Sequence, residues 1–198
     1  VLGAAARPGW SGASLRVPEI DRLTLHVLVD AATFGFAVPE RRADLVLERA
    51  PPRTAGEQQP RHTLGAEFGL SLLAESVAGQ QTRRVLIDFG YTPEVLLNNL
   101  AMQRIELSSV DAMVLSHGHF DHFGGIAALL GAGVRLKAGV PFWVGSEEIF
   151  CARETLLAGS AQSFGRVPRE QLVAAGIRIM TAPEPAIVAE HAFITGEI

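Results

Sequence analysis

A layered α/β fold, with sheet packed between helices, is what this 198-residue sequence predicts. Three observations carry the prediction. Short β-branched and aliphatic runs alternate with helical patterns; no internal period repeats; and a hydrophobic content of 48% is enough for one buried core.

Residues 1–22 read as a flexible N-terminal segment, since the Ala-rich "VLGAAARPG" and the Gly/Ser-rich stretch around Trp10 carry no periodicity. The remains of a cleaved leader are the other reading of that start. Residues 23–198 form the expected domain. Thr24 to Asp30 ("TLHVLVD") and Ala66 to Glu75 ("AEFGLSLLAE") have strand length and strand composition. Between them Ala50 to His62 is rich in Pro, Gly and Gln, which predicts a surface connection or a lid.

Arg83 to Asp88 ("RRVLID") is a third strand, and Thr92-Pro93-Glu94 supplies an N-cap, a first-turn proline and an acid for the helix that follows. Val110 to Ser116 ("VDAMVLS") is a buried-type strand. After a histidine-rich loop, Gly124-Gly125 opens a short helix closed by glycine. Val140 to Gly145 reads as a strand, Ser146 to Phe150 as a capped helix start, and Pro168 to Gly176 as a helix leading into the strand "IRIM". "HAFITGEI" ends inside a strand-like pattern, so the domain is expected to be incomplete at its C-terminus.

The charge balance excludes some functions. Seventeen Lys and Arg against 21 Asp and Glu give a net charge of -4 with no basic stripe, which argues against a nucleic-acid surface. No apolar run approaches the roughly 20 residues of a membrane span. The single cysteine, Cys151, cannot form an internal disulfide and is expected to pack, buried, in a helix. A cytoplasmic address is the expectation that follows.

The chemistry concentrates in "SHGHFDHFGG", Ser116 to Gly125, which sets three of the six histidines and an aspartate within six positions. Side chains two apart in extended chain share a side, so His117 and His119 can grip one ion. Gly118 between them adds no bulk. Asp121 and His122 can face a neighbouring position suited to zinc, iron or manganese. Burying such groups without a metal would leave donors unpaired and charge uncompensated. A pair of divalent ions, zinc first, with iron or manganese as substitutes, would hold a hydroxide as nucleophile, and Asp121 would ligate and orient it.

This HxHxDH pattern resembles that of the metallo-β-lactamase superfamily of metal-dependent hydrolases. The resemblance implies a four-layer αββα sandwich, or its N-terminal part, with His117 and His119 on the first metal, Asp121 and His122 on the second, and Asp88 of "DFG" supporting them from behind. "HVLVD", "AEFGLSLLAE", "VLIDFG", "LLNNL" and "TGEI" resemble, in order, the dihydropterin synthase-like subgroup. Phe68, Phe120 and Ala31 stand where that subgroup commonly has His, Tyr and Asn, so polar contacts for a pterin-type substrate are missing. Phe120 and Phe123 are expected to form an apolar wall near the metals, or simply to pack in the core. His191 is the only histidine downstream and lacks the Gly-His-Thr setting of the superfamily's third ligand.

The expected function is metal-dependent hydrolysis of a small-molecule ester, phosphoester, lactone or amide. The alternatives are a metal-binding but inert interaction module and an iron-dependent redox member of the same superfamily. A complementary C-terminal fragment or a homo-oligomer is the expected source of further ligands.

Overall fold

The computed structural model describes residues 16–32, 38–48, 63–131, 133–157 and 159–196. Trp10 and the connection at 50–62 lie outside these. In chain order the strands are β1 (Arg22–Val29), β2 (Glu40–Arg41), β3 (Val46–Leu47), β4 (Ser71–Ala78) and β5 (Gln81–Ile87), followed by helix α1 (Pro93–Gln103). Then come β6 (Ala112–Val114), α2 (Phe120–Phe123), β7 (Pro141–Val144), the hairpin β8 (Glu154–Leu157) and β9 (Ser160–Ser163), α3 (Arg169–Ala174), β10 (Arg178–Thr181), β11 (Ala186–Val188) and β12 (Ala192–Ile194). The fold is α/β, as the alternation of patterns predicts.

Six strands form one mixed sheet in the order β1-β4-β5-β6-β7-β10. β1, β4 and β5 pair antiparallel, whereas β5, β6, β7 and β10 run parallel. Gly79, at φ 57, turns the β4–β5 hairpin, a backbone state that costs a glycine little.

Register separates the two faces. Leu73, Leu86, Met113, Phe142 and Ile179 are successive partners across the sheet. This stripe packs with Leu96 and Leu100 of α1, Ile126 and Leu129 of the turn at 124–130, and Leu172 of α3. Leu86, Met113 and Phe142 are wholly buried, each contributing roughly 2 kcal/mol of transfer free energy. On the other face Val85 and Ala112 are covered by Val188, Ala192 and Ile194 of the β11–β12 hairpin. That cover stops short of β1, where Leu23, Leu25 and Val27 remain about half exposed at 52%, 54% and 51%.

Helix α1 follows its sequence signals closely. The Thr92 hydroxyl accepts the Val95 N–H at 3.4 Å, and Pro93 and Glu94 occupy the first turn. Arg104, left-handed at φ 58, stops the helix, with the Arg104 N–H closing on the Ala101 carbonyl (3.2 Å) and the Ile105 N–H on that of Leu100 (2.9 Å).

Several expectations shift. The strand expected from Ala66 starts at Ser71. Residues before it are drawn out of the sheet because the Glu67 carboxylate caps the N–H groups of Tyr91 and Thr92, each at 2.9 Å. The helix expected after Gly124-Gly125 is a 3-10 segment over Gly124–Leu130. Phe89 and Tyr91 carbonyl oxygens press where Cβ atoms of residues 125 and 124 would lie, so tertiary contact sets the tighter winding. The segment at Glu147–Phe150 is likewise 3-10. Cys151 is exposed rather than buried, since it follows that turn instead of sitting on a helix face.

Candidate metal centre

The site is built at the C-terminal ends of two adjacent parallel strands, the usual place for a ligand in an open α/β sheet. β5 leads into Asp88 and β6 into Ser116 and the histidine loop. Asp88 keeps the sheet register with its N–H on the Val114 carbonyl at 2.9 Å, then turns at φ 56, a left-handed state that aspartate tolerates better than most residues. The next N–H, of Phe89, is satisfied by the His122 carbonyl at 2.7 Å. The two loops are thus tied backbone to backbone before any side chain is counted.

Asp88 is nearly inaccessible at 1% exposure, and its carboxylate accepts three hydrogen bonds. The Ser116 N–H reaches Oδ1 at 2.7 Å, while the Ser116 hydroxyl and His122 Nδ1 reach Oδ2, each at 2.7 Å. These donors explain how a buried carboxylate is accommodated. The arrangement fixes proton positions down the loop. Since the Ser116 proton is used on Asp88, the 2.9 Å contact between Ser116 Oγ and His117 Nδ1 must be an Nδ1–H donating to the hydroxyl. The Nε2 of His117 then carries a lone pair, which accepts from His119 Nδ1–H at 3.0 Å. His122 likewise donates from Nδ1 to Asp88 and turns Nε2 toward Asp121 Oδ2 at 3.4 Å. Both rings are held in the tautomer that a metal requires at Nε2.

Electrostatics support the same state. Partial burial of His117, together with repulsion from His122 and His119, lowers its pKa below the ordinary 6.5, against smaller upward pulls from Asp88 and Asp121. Neutral imidazole, the ligating form, is therefore favoured.

The four donors expected from the sequence thus lie together as two pairs, His117 with His119 and Asp121 with His122, on the loop that Asp88 supports. Separations of 3.0 and 3.4 Å compare with the roughly 3.3 Å between ligands of a tetrahedral ion at bond lengths near 2.05 Å. The chemistry of the donors fits a divalent ion. Among the described residues, however, no three such groups converge on one point. His191 does not join them: it contacts Ser76 Oγ at 3.1 Å, further along β4.

Two groups here escape sequence reasoning. Ser116 is the hinge of the proton arrangement, and only the contact itself reveals that role. Asn99, buried at 1%, binds the Leu28 and Gly65 carbonyls at 2.6 and 2.8 Å and accepts the Gly65 N–H at 2.8 Å, locking α1 to β1 beside the site. Phe120 does form an aromatic group near the histidines, with Tyr91, Phe123 and Phe164 at ring separations of 4.8, 5.3 and 6.1 Å.

A histidine-aspartate loop between parallel strands, backed by a buried carboxylate, places metal-capable donors on an α/β fold. Residues 64–142 match the family model of the metallo-beta-lactamase superfamily. Members of this superfamily bind divalent metals and are mostly hydrolases. A 65-residue stretch is 35% identical to the 7,8-dihydropterin-6-methyl-4-(beta-D-ribofuranosyl)-aminobenzene-5'-phosphate synthase of Methanocaldococcus jannaschii. That stretch covers 33% of this chain and 22% of the relative. Among solved structures, similarity extends to MEM-A1, a subclass B3 metallo-beta-lactamase from a soil metagenome library, at 24% identity and a TM-score of 0.38, covering 64% of this chain and 45% of that one. It extends also to MIM-1 from Novosphingobium pentaromativorans, at 19% identity and a TM-score of 0.37, covering 62% and 43%. The chain thus spans less than half the length of these solved structures. Among the described residues, no helix is long and apolar enough to cross a membrane.

Proposed function

We propose that this chain carries the metal-binding loop of a hydrolase acting on an ester, phosphoester, lactone or amide. The observation that carries the reading is the orientation of His122 and His117, whose Nδ1 atoms are held by Asp88 and Ser116 so that each Nε2 is turned toward its neighbouring donor on the loop, Asp121 Oδ2 and His119 Nδ1. His117 and His119 would hold one ion, and Asp121 and His122 a second. Zinc suits the imidazole-carboxylate set, with iron or manganese chemically compatible. A divalent ion held by these residues would supply Lewis-acid polarisation and a water of pKa lowered toward about 7. Asp121, with 21% of its side chain exposed, would accept a hydrogen bond from the attacking water and aim it.

The assay is turnover of p-nitrophenyl acetate and bis-p-nitrophenyl phosphate by the zinc-loaded chain, compared with His119→Ala and Asp121→Ala. Loss of turnover by about 100-fold or more in either variant is expected for a group needed by the transition state. Turnover that survives both substitutions excludes the loop as the catalytic centre.

A second reading is metal binding without turnover. It is favoured because, among the described residues, no three donors form one convergent set, so that further ligands would come from another segment or a second copy. Zinc bound with no hydrolysis of either ester would favour it.

A further inference from the structure

Beside the histidine loop the β8–β9 hairpin brings in a cation that the metal chemistry does not use. Backbone bonds from the Arg153 N–H to the Gly165 carbonyl and from the Phe164 N–H to the Arg153 carbonyl, both 3.2 Å, extend the hairpin pairing to its base. They fix Arg153 and Phe164 as neighbours. The Arg153 guanidinium lies directly against the backbone of Gly118, between His117 and His119; a Cβ on Gly118 would overlap Arg153 Nε and stand 2.9 Å from Cζ. Only glycine leaves room for that approach. Phe164 in turn meets Phe120 at 6.1 Å between ring centroids.

An open cleft of about 350 Å³ results, with Gly118, His119, Phe120, Arg153, Glu154 and Phe164 on its walls. Glu154 is the one acid among the lining residues, yet no ion pair joins it to Arg153, and Arg153 takes part in none of the ion pairs among the described residues. A guanidinium that joins no ion pair among the described residues is matched in shape by the two oxygens of a carboxylate or phosphate, and it is weakly hydrated, so exchanging water for such a partner costs little. The phenylalanine rings beside it suit a planar apolar group.

We propose that Arg153 is a specificity-determining residue that binds an anionic oxygen group, carboxylate or phosphate, attached to a planar ring lying against Phe120 and Phe164. The proposal deepens the hydrolase reading and rests on it for the identity of the neighbouring site as the reacting centre. It names the substrate class as an aromatic or heteroaromatic acid derivative rather than a neutral ester.

The test is titration of the zinc-loaded chain with benzoate, phenylphosphonate and neutral benzamide, followed by calorimetry or ligand-observed NMR. Wild type is compared with Arg153→Met and Arg153→Lys, and the metal content of every sample is measured. Loss of a charge-assisted hydrogen bond weakens binding about tenfold. Arg153→Met should therefore weaken at least one anion about tenfold and benzamide by no more than about twofold, with Arg153→Lys falling between. An effect confined to benzoate assigns a carboxylate partner; one confined to phenylphosphonate assigns a phosphate. Equal anion affinities in wild type and Arg153→Met overturn the proposal. Failure of the wild type to retain zinc would instead strike at the hydrolase reading, and is told apart because anion binding is scored separately.

Discussion

Replacing Asp88 by Asn changes one oxygen to an amide and removes a charge, and the structure dictates how the site must respond. Three donors converge on the Asp88 carboxylate: the Ser116 N–H on Oδ1, and the Ser116 hydroxyl and His122 Nδ1–H on Oδ2. The backbone N–H cannot rotate, so the asparagine oxygen must face it, which turns the NH2 toward Ser116 Oγ and His122. Ser116 is exposed and its hydroxyl can swing to water. His122 can only comply by moving its proton to Nε2, the atom otherwise free to ligate. Two charge-assisted bonds worth roughly 1.5–3 kcal/mol each are lost, but relief of a buried charge returns several kcal/mol. Global stability should therefore move by less than about 2 kcal/mol, whereas zinc affinity should fall 10- to 100-fold, about the usual cost of losing a group that orients a ligand. Long-range proton-nitrogen NMR on the metal-free protein reads the tautomer, and zinc titration reads the affinity. A His122 that keeps its proton on Nδ1 in Asp88→Asn, with zinc affinity within about twofold of wild type, refutes the reasoning.

Other substitutions report on separate parts of the account. Gly125→Ala drives a Cβ into the Phe89 carbonyl, backbone that cannot yield cheaply, and should cost about 2–3 kcal/mol in denaturant unfolding. Asn99→Ala strips partners from the Leu28 and Gly65 backbone groups and should cost about 3 kcal/mol in the same measurement. His191→Ala should leave zinc content unchanged, because its ring contacts Ser76, five residues or about 17 Å along β4 from Ser71 beside Asp88. The depressed pKa of His117 means that the unfolded chain takes up its proton first as pH falls below 6.5. Metal-free stability contributed by this group is thus full above 6.5 and declines as pH falls through the lowered folded value. Thermal melts of His117→Gln should accordingly show a shallower acid loss than wild type.

Much of the site is legible in the chain because its parts are local. His117, His119, Asp121 and His122 lie within six residues, so backbone geometry alone brings them together. Strand composition likewise locates β1, β5, β6, β7 and β10, and the Thr92-Pro93-Glu94 signal locates α1, because each depends on its own residues. What local pattern cannot carry is long-range partnership. Ser116 becomes important only once Asp88, 28 positions away, is folded beneath it. Arg153 reaches Gly118 only through a hairpin whose "ETLLAGSAQS" lacks a clear alternation. The 3-10 winding after Gly124 and the late start of β4 are set by contacts with residues 89–92, which override local preference. Cys151 misleads for a related reason: its apolar neighbours are buried while a turn leaves the thiol outside.

The loop from His117 to His122 is expected to hold metal through the four groups that Asp88 and Ser116 arrange. The most direct measurement is elemental analysis of the chain purified without chelator and re-equilibrated with zinc, beside the His117→Ala, His119→Ala, Asp121→Ala and His122→Ala variants. About two divalent ions per wild-type chain are expected, by the two-ion logic of the paired donors, with metal lost in every variant. Zinc content that is negligible in wild type, or the same in wild type and all four variants, would contradict it.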